Sequence, residues 1–153
     1  MGKGPYPSPL FRKQVTALVS PLQAIMSGEI VAEPGVRPVG SVSFAGKVND
    51  VWMSVGASGK DDSNTLSLSL DALINGVSCL STEASIAHVS GEASQQKTTV
   101  VSGDTGIVQA VVDGDANDVS PGDVVTFDCT LTRTASPTTE IGTACLVIEI
   151  TPN

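Results

Sequence analysis

Catalytic or metal chemistry in this 153-residue chain would have to be built from one histidine, three cysteines and two acid-rich loops. His88 lies inside the apolar run Ile86–Val89, and a lone strand histidine is more often structural than catalytic. A histidine-based metal site would lack its second ligand, and a Ser-His-Asp triad would have to recruit His88 alone. Serines are plentiful, yet none sits in a Gly-x-Ser-x-Gly elbow. Cys79, Cys129 and Cys145 form no Cys-x-x-Cys pair and give no zinc spacing. Their odd number suits a reducing compartment such as a cytosol. Cys129 alternates with Val125, Phe127 and Leu131 as a small buried hydrophobe, and a Cys129–Cys145 bridge between neighbouring strands stays open.

The sharper acidic cluster is Asp113-Gly-Asp115-Ala-Asn117-Asp118, with Asp123 just beyond. Its Asp-x-Asp-x-Asn start has the outline of a calcium loop, where several oxygens converge on a hard cation. The sixth position is Asp118 in place of Gly and the twelfth is Val124 in place of Glu, so a polar loop between strands is expected. Asp61-Asp62-Ser63-Asn64 reads the same way. A sugar-binding platform needs exposed aromatic rings. The chain has only Trp52, Tyr6 and three phenylalanines, with Tyr6 and Phe11 in the N-terminal arm. Trp52 is placed by alternation with Val48 and Asp50 and opposite Val51, Met53 and Val55, and one such ring is a thin platform. These residues predict no enzyme, no catalytic residue, no cofactor and no metal.

The elements that would position these groups are strands. After Gly28 the apolar pattern has period two, expected as Glu29–Ala32, Ser41–Lys47, Asp50–Gly56, Thr65–Leu73, Val77–Thr82, Ile86–Val89, Thr98–Val101, Gly106–Val112, Asp123–Arg133 and Thr143–Thr151. Leu66, Leu68 and Leu70 alternate with Ser67, Ser69 and Asp71, one dry face against one wet face. Turn signals fall at Ser58-Gly59, Asn75-Gly76, Asp113-Gly114 and Ser120-Pro-Gly-Asp123. The fold class predicted is all-β, an antiparallel double-sheet sandwich of jelly-roll-like type over residues 29–153, preceded by an extended N-terminal arm, 1–28.

The arm differs in charge as well as pattern. Residues 1–28 hold Lys3, Arg12 and Lys13 and no acidic residue, a net of +3. From Val48 onward fourteen acidic residues face three basic ones, a net of −11. Such a body repels nucleic acid, whose binding rests on neutralised phosphates. No stretch approaches the roughly 20 apolar residues of a membrane span. The run Val15–Met26 after Arg12 and Lys13 has a faint signal-peptide outline, but Pro21 and Gln23 interrupt it and no cleavage site follows cleanly. Pro5, Pro7 and Pro9 hold the start extended. Phe11, Val15, Leu18, Leu22 and Ile25 recur at helical spacing, with Ser20-Pro21 able to cap a second short helix. That apolar stripe predicts an arm ordered against a partner.

From Gly40 onward the chain resembles the auxiliary head proteins of tailed bacteriophages, small β-sandwich decoration (cement) proteins. The resemblance is carried by Ser41-Val-Ser-Phe-Ala-Gly-Lys-Val, Val51-Trp-Met-Ser-Val-Gly-Ala-Ser-Gly-Lys-Asp-Asp-Ser-Asn, Leu73-Ile-Asn-Gly-Val-Ser and Leu131-Thr-Arg-Thr-Ala-Ser-Pro-Thr-Thr-Glu. It implies a structural virion protein, made in the host cytoplasm and placed on the capsid surface. Its partners would be the major capsid protein and two further copies in a homotrimer, with no nucleic acid and no membrane. On that expectation, spacing and charge assign capsid binding to Phe11, Arg12, Lys13, Val15, Leu18 and Leu22. The alternative is a carbohydrate- or receptor-binding sandwich of a tail or fibre, using Trp52 and the Asp113–Asp118 loop.

Overall fold

The computed structural model describes residues 20–134 and 136–153. In chain order the strands are β1 (Ser20–Glu29), β2 (Gly35–Ser41), β3 (Gly46–Lys60), β4 (Ser67–Ile74), β5 (Val77–Ser78), β6 (Leu80–Thr82) and β7 (Ala84–Ala87). Then follow β8 (Lys97–Thr98), β9 (Ile107–Val108), β10 (Val111–Val112), β11 (Asp118–Val119), β12 (Val124–Thr132) and β13 (Thr139–Pro152). One five-stranded sheet runs β1-β13-β3-β11, with β8 also on β3, and a six-stranded sheet runs β2-β12-β4-β7-β9, with β5 on β4. A two-stranded ribbon joins β10 to β6. Every pairing is antiparallel. The long strands β1 to β4, and then β12 and β13, alternate between the two large sheets, which makes the sandwich jelly-roll-like.

Alternation builds the core. β4 buries Leu68, Leu70, Ala72 and Ile74 and leaves Ser67, Ser69 and Asp71 half-exposed. Val125, Phe127 and Cys129 from β12 and Ala144, Leu146, Ile148 and Ile150 from β13 complete it. Two irregularities keep the apolar side inward. In β3 the register shifts between Asp50 and Val48, which turns Val48 into the core instead of leaving it beside Trp52 on the outer face. In β13 Ile141 and Ala144 are both buried although they are three apart, with Thr143 between them at φ 43, facing the register shift in β1 between Met26 and Glu29. Thr143 Oγ1 accepts from Gly28 N (3.3 Å), where β1 is also out of register.

The turns mostly fall where expected. Asn75 (φ 51) and Gly76 (φ 83) form the tight hairpin between β4 and β5. Ser120 to Asp123 turn with Gly122 at φ 96, and Asp123 N donates to Ser120 O (3.0 Å). Ser58-Gly59 is different: both lie within β3, and the reversal comes later, at Asp61–Asn64 with Asn64 at φ 55. Gly59 is needed because a Cβ there would stand 2.4 Å from Leu66 Cδ2. Of the strand expected over Glu29–Ala32 only Glu29 is in a strand, as the end of β1; Ile30–Ala32 belong to the connector to β2, which ends at Pro34 and Gly35 (φ 63). Thr98–Val101 pairs only at Lys97–Thr98.

The main correction concerns the arm. Its last residues are not helical; they are β1, paired with β13 from Ser20↔Ile150 to Met26↔Ala144. The division expected at Gly28 therefore cuts through a sheet strand. Pairing with the apolar β13 outweighs the weak local helical preference of so short a segment. Leu22, Ala24 and Met26 pack against the core while Ile25 points out. Leu22, assigned above to an unpartnered apolar stripe, is thus a half-buried residue of the sandwich.

Candidate functional site

Of the residues assigned to capsid binding, Phe11, Arg12, Lys13, Val15 and Leu18 lie outside the described residues, and Leu22 lies in β1. What the structure places beside that segment is the edge where it enters. β1 borders the five-stranded sheet and β2 the six-stranded one, and the connector Ile30–Pro34 links them on the same flank. Edge strands expose unpaired backbone groups unless something blunts them. Pro21 and Pro38 each remove a donor from these edges.

Beside β1 and the connector lies an open groove of about 380 Å³, lined by Ile25, Met26, Ile30, Val31, Ala32 and Pro34 together with Glu29, Glu33 and Arg37. It adjoins a narrower cavity of about 120 Å³ that shares Ile25, Met26, Pro34 and Arg37 and reaches Phe127, Cys129 and Leu146. Ile25 (67%), Val31 (53%) and Val36 (62%) are among the most exposed large apolar side chains described. Arg37 Nε donates to Pro34 O (3.0 Å), which fixes the connector and holds the guanidinium beside the groove. No protein family's sequence profile matches the chain, and no curated protein is significantly similar to it.

The chemistry-bearing residues are engaged elsewhere. Asp61 is 2% exposed. Its Oδ2 accepts from Leu66 N (3.0 Å), Thr65 N (3.1 Å), Thr65 Oγ1 (3.1 Å) and Ser63 Oγ (3.2 Å). Its Oδ1 faces His88 Nδ1 at 3.3 Å. Burial alone would raise this carboxyl; the donors from Thr65, Ser63 and His88 outweigh it and hold the group below its ordinary value. The Asp-His geometry resembles the orienting half of a triad, but the two side chains are only 1% and 3% exposed. No hydroxyl bonds to His88 Nε2 among the described residues. A substrate has no route to it, so the pair clamps the Asp61–Leu66 turn to β7.

Lys97 forms a second clamp. Its Nζ donates to Glu92 Oε2 and to Thr105 O, both at 2.6 Å, and Glu92 also accepts from Thr105 Oγ1. The Asp113–Asp118 loop does not converge on a point. Asp113 Oδ1 accepts from Asp115 N, Asn117 Nδ2 donates to Val48 O, and Asp118 pairs with Lys47 (2.8 Å). Among the described residues no group of three His, Cys, Asp or Glu is placed to hold a metal. The three cysteines are free, so the Cys129–Cys145 alternative falls away. Burial pushes the Cys79 thiol up to about 11 and the Cys129 thiol to about 12, with Asp71 and Asp128 adding to it. Trp52 is half-buried on the outer sheet face, directly opposite Val147, itself 4% exposed.

Sequence reasoning missed the Asp61 clamp and the β1–β2 groove. The first had a signal in Asp61-x-x-x-Thr65, a carboxylate able to fold back on its own loop. The second had none, because it depends on which strands end up at the sheet edges.

Proposed function

We propose that the chain is a structural virion protein that binds the outside of a phage capsid as a trimer and stabilises the shell by cross-linking capsomers. The reading is carried by one observation: an acidic, well-packed sandwich joined directly, at an edge strand, to a basic segment bearing Phe11, Val15 and Leu18. The likeness of residues 40–153 to phage decoration proteins agrees with it. Here the attachment residues are Phe11, Arg12, Lys13, Val15 and Leu18, without Leu22. The sandwich supplies a rigid body, and several weak attachments on one trimer gain from effective concentration. No catalysis is required.

The test is binding of purified protein to expanded empty heads of the phage that encodes it, followed by sedimentation and occupancy counting. Phe11→Ala/Leu18→Ala should lower occupancy at least tenfold, since each buried apolar side chain contributes roughly 1.5–3 kcal/mol. Failure of the wild-type protein to sediment with heads, together with binding to a glycan array that Trp52→Ala abolishes, would replace this reading with the carbohydrate-binding one.

A further inference from the structure

We propose that Asn75 is a modification site: the Asn75-Gly76 hairpin is where this chain deamidates, and a hydrogen-bonded latch to the β12 side holds the reaction back while the fold is intact. The chemistry is local. The Gly76 backbone nitrogen, having lost its proton to solvent base, attacks Asn75 Cγ. A C–N bond closes an imide ring, the Cγ–Nδ2 bond breaks, and ammonia leaves with a proton taken from water. A second water then opens the ring, at one carbonyl to aspartate and at the other to isoaspartate. Glycine after the asparagine leaves the attacking nitrogen unhindered, because it has no Cβ. No other asparagine of the chain precedes a glycine. Both residues are exposed, and a Cβ at Gly76 would meet nothing within 4 Å, so water and base reach the bond.

The latch is built from both turns at this end of the six-stranded sheet. Asn75 N donates to Val124 O (2.9 Å), and Val124 N donates back to Asn75 Oδ1 (2.9 Å). Asn75 thus continues the β4–β12 ladder one place beyond Ile74↔Val125, its side-chain carbonyl standing in for a main-chain one. The rest of the amide is held as well: Asn75 Nδ2 donates to Asp123 Oδ1 (2.7 Å). Asp123 Oδ2 in turn accepts from Ser120 N (2.7 Å). The Asn75 bond first, and the Ser120 bond after it, hold this carboxyl below its ordinary value. Cγ therefore cannot swing onto Gly76 N without giving up its bonds to Val124 and Asp123. Deamidation reverses the sign of the latch. An aspartate at position 75 has no proton to donate, and its second oxygen faces Asp123 as a like charge. Isoaspartate adds a methylene to the main chain and takes the turn out of register with β12.

The experiment incubates the full-length chain in mildly alkaline buffer, folded and in urea, and follows amide-to-acid conversion at each asparagine by peptide mass mapping. Asn75 should be the fastest site in urea and should convert about tenfold more slowly, or slower still, in the folded chain. Asp123→Ala should recover most of that gap while circular dichroism shows the sheets intact. The product is tested separately by Asn75→Asp, which keeps the backbone angle, since Asp tolerates the φ of 51 found here. This variant should unfold at lower urea than wild type at neutral pH, with the difference shrinking on acidification as one of the two facing carboxylates takes up a proton. Asn75→Asp/Asp123→Asn exchanges donor and acceptor across the same gap and should restore the midpoint, which a merely loosened turn would not do. Equal rates folded and in urea, an Asp123→Ala rate equal to wild type, or an Asn75→Asp loss that the exchange leaves in place would each overturn the proposal.

Discussion

Replacing Asp61 with Ala removes the common acceptor of four hydrogen bonds and the partner of His88. The donors do not suffer equally. Ser63 and Thr65 are exposed, so their hydroxyls can turn to water. Leu66 is 0% exposed, and its amide would be left without a partner, as would His88 Nδ1. An unsatisfied buried donor costs about 1–3 kcal/mol, and two such groups, Leu66 N and His88 Nδ1, would be left. The expected loss is therefore about 2–6 kcal/mol, which for a chain of this size lowers Tm by roughly 4–24 °C. Urea unfolding followed by circular dichroism measures it, with exposed Asp62→Ala as the control expected within about 0.5 kcal/mol of wild type. The pH dependence gives a second check. Because the folded-state value of Asp61 lies below the ordinary 3.8, its stabilisation is present above the unfolded value and is lost as pH falls through the folded one. The gap between wild type and Asp61→Asn should thus narrow on acidification below 3.8. A loss under about 1 kcal/mol for Asp61→Ala at neutral pH would show that the clamp is not what closes the β3–β4 turn.

Three further outcomes test the packing. Gly59→Ala places a Cβ 2.4 Å from Leu66 Cδ2 at φ +76, and should cost about 2–4 kcal/mol in the same unfolding assay. A chain beginning at Ser20 should melt within a few degrees of full length. One beginning at Gly28 forfeits seven of the eight paired positions of β1 and should melt far lower or aggregate. Thiol titration at pH 8 should label half-buried Cys145 first, while Cys79 and Cys129, pushed up to about 11 and 12, react only on unfolding.

The sandwich was legible because its strands are consistent with themselves. Leu68, Leu70 and Ala72 on one side of β4, and Leu146, Ile148 and Ile150 on one side of β13, leave period two as the sole reading. Asn75-Gly76 pinned a register that nothing contradicted. β1 was misread because both periods fit it: Leu18, Leu22 and Ile25 sit at helical spacing, while Leu22, Ala24 and Met26 sit at strand spacing with a small, quiet Ala in the middle. Only the partner decides between them, and β13 lies more than a hundred residues away in sequence. The same non-locality hid Asp61, which reads as one more loop acid until Leu66 and His88 are brought around it.

That misreading bears on function. With β1 in the sheet, the basic segment is tethered at an edge strand, with no helix and no flexible linker between Ser20 and the sandwich. From Ser20 the residues Phe11, Arg12 and Lys13 can lie at most roughly 30 Å away. On the virion reading proposed above, that reach lets Phe11, Arg12 and Lys13 engage only a surface close to this edge. Inserting a Gly-Ser spacer after Leu18 should then leave the sandwich unchanged in unfolding assays while altering assembly, since the benefit of a tether falls once its length exceeds the span. Assembly indifferent to spacer length would mean that the tether's reach has no part in bringing copies together.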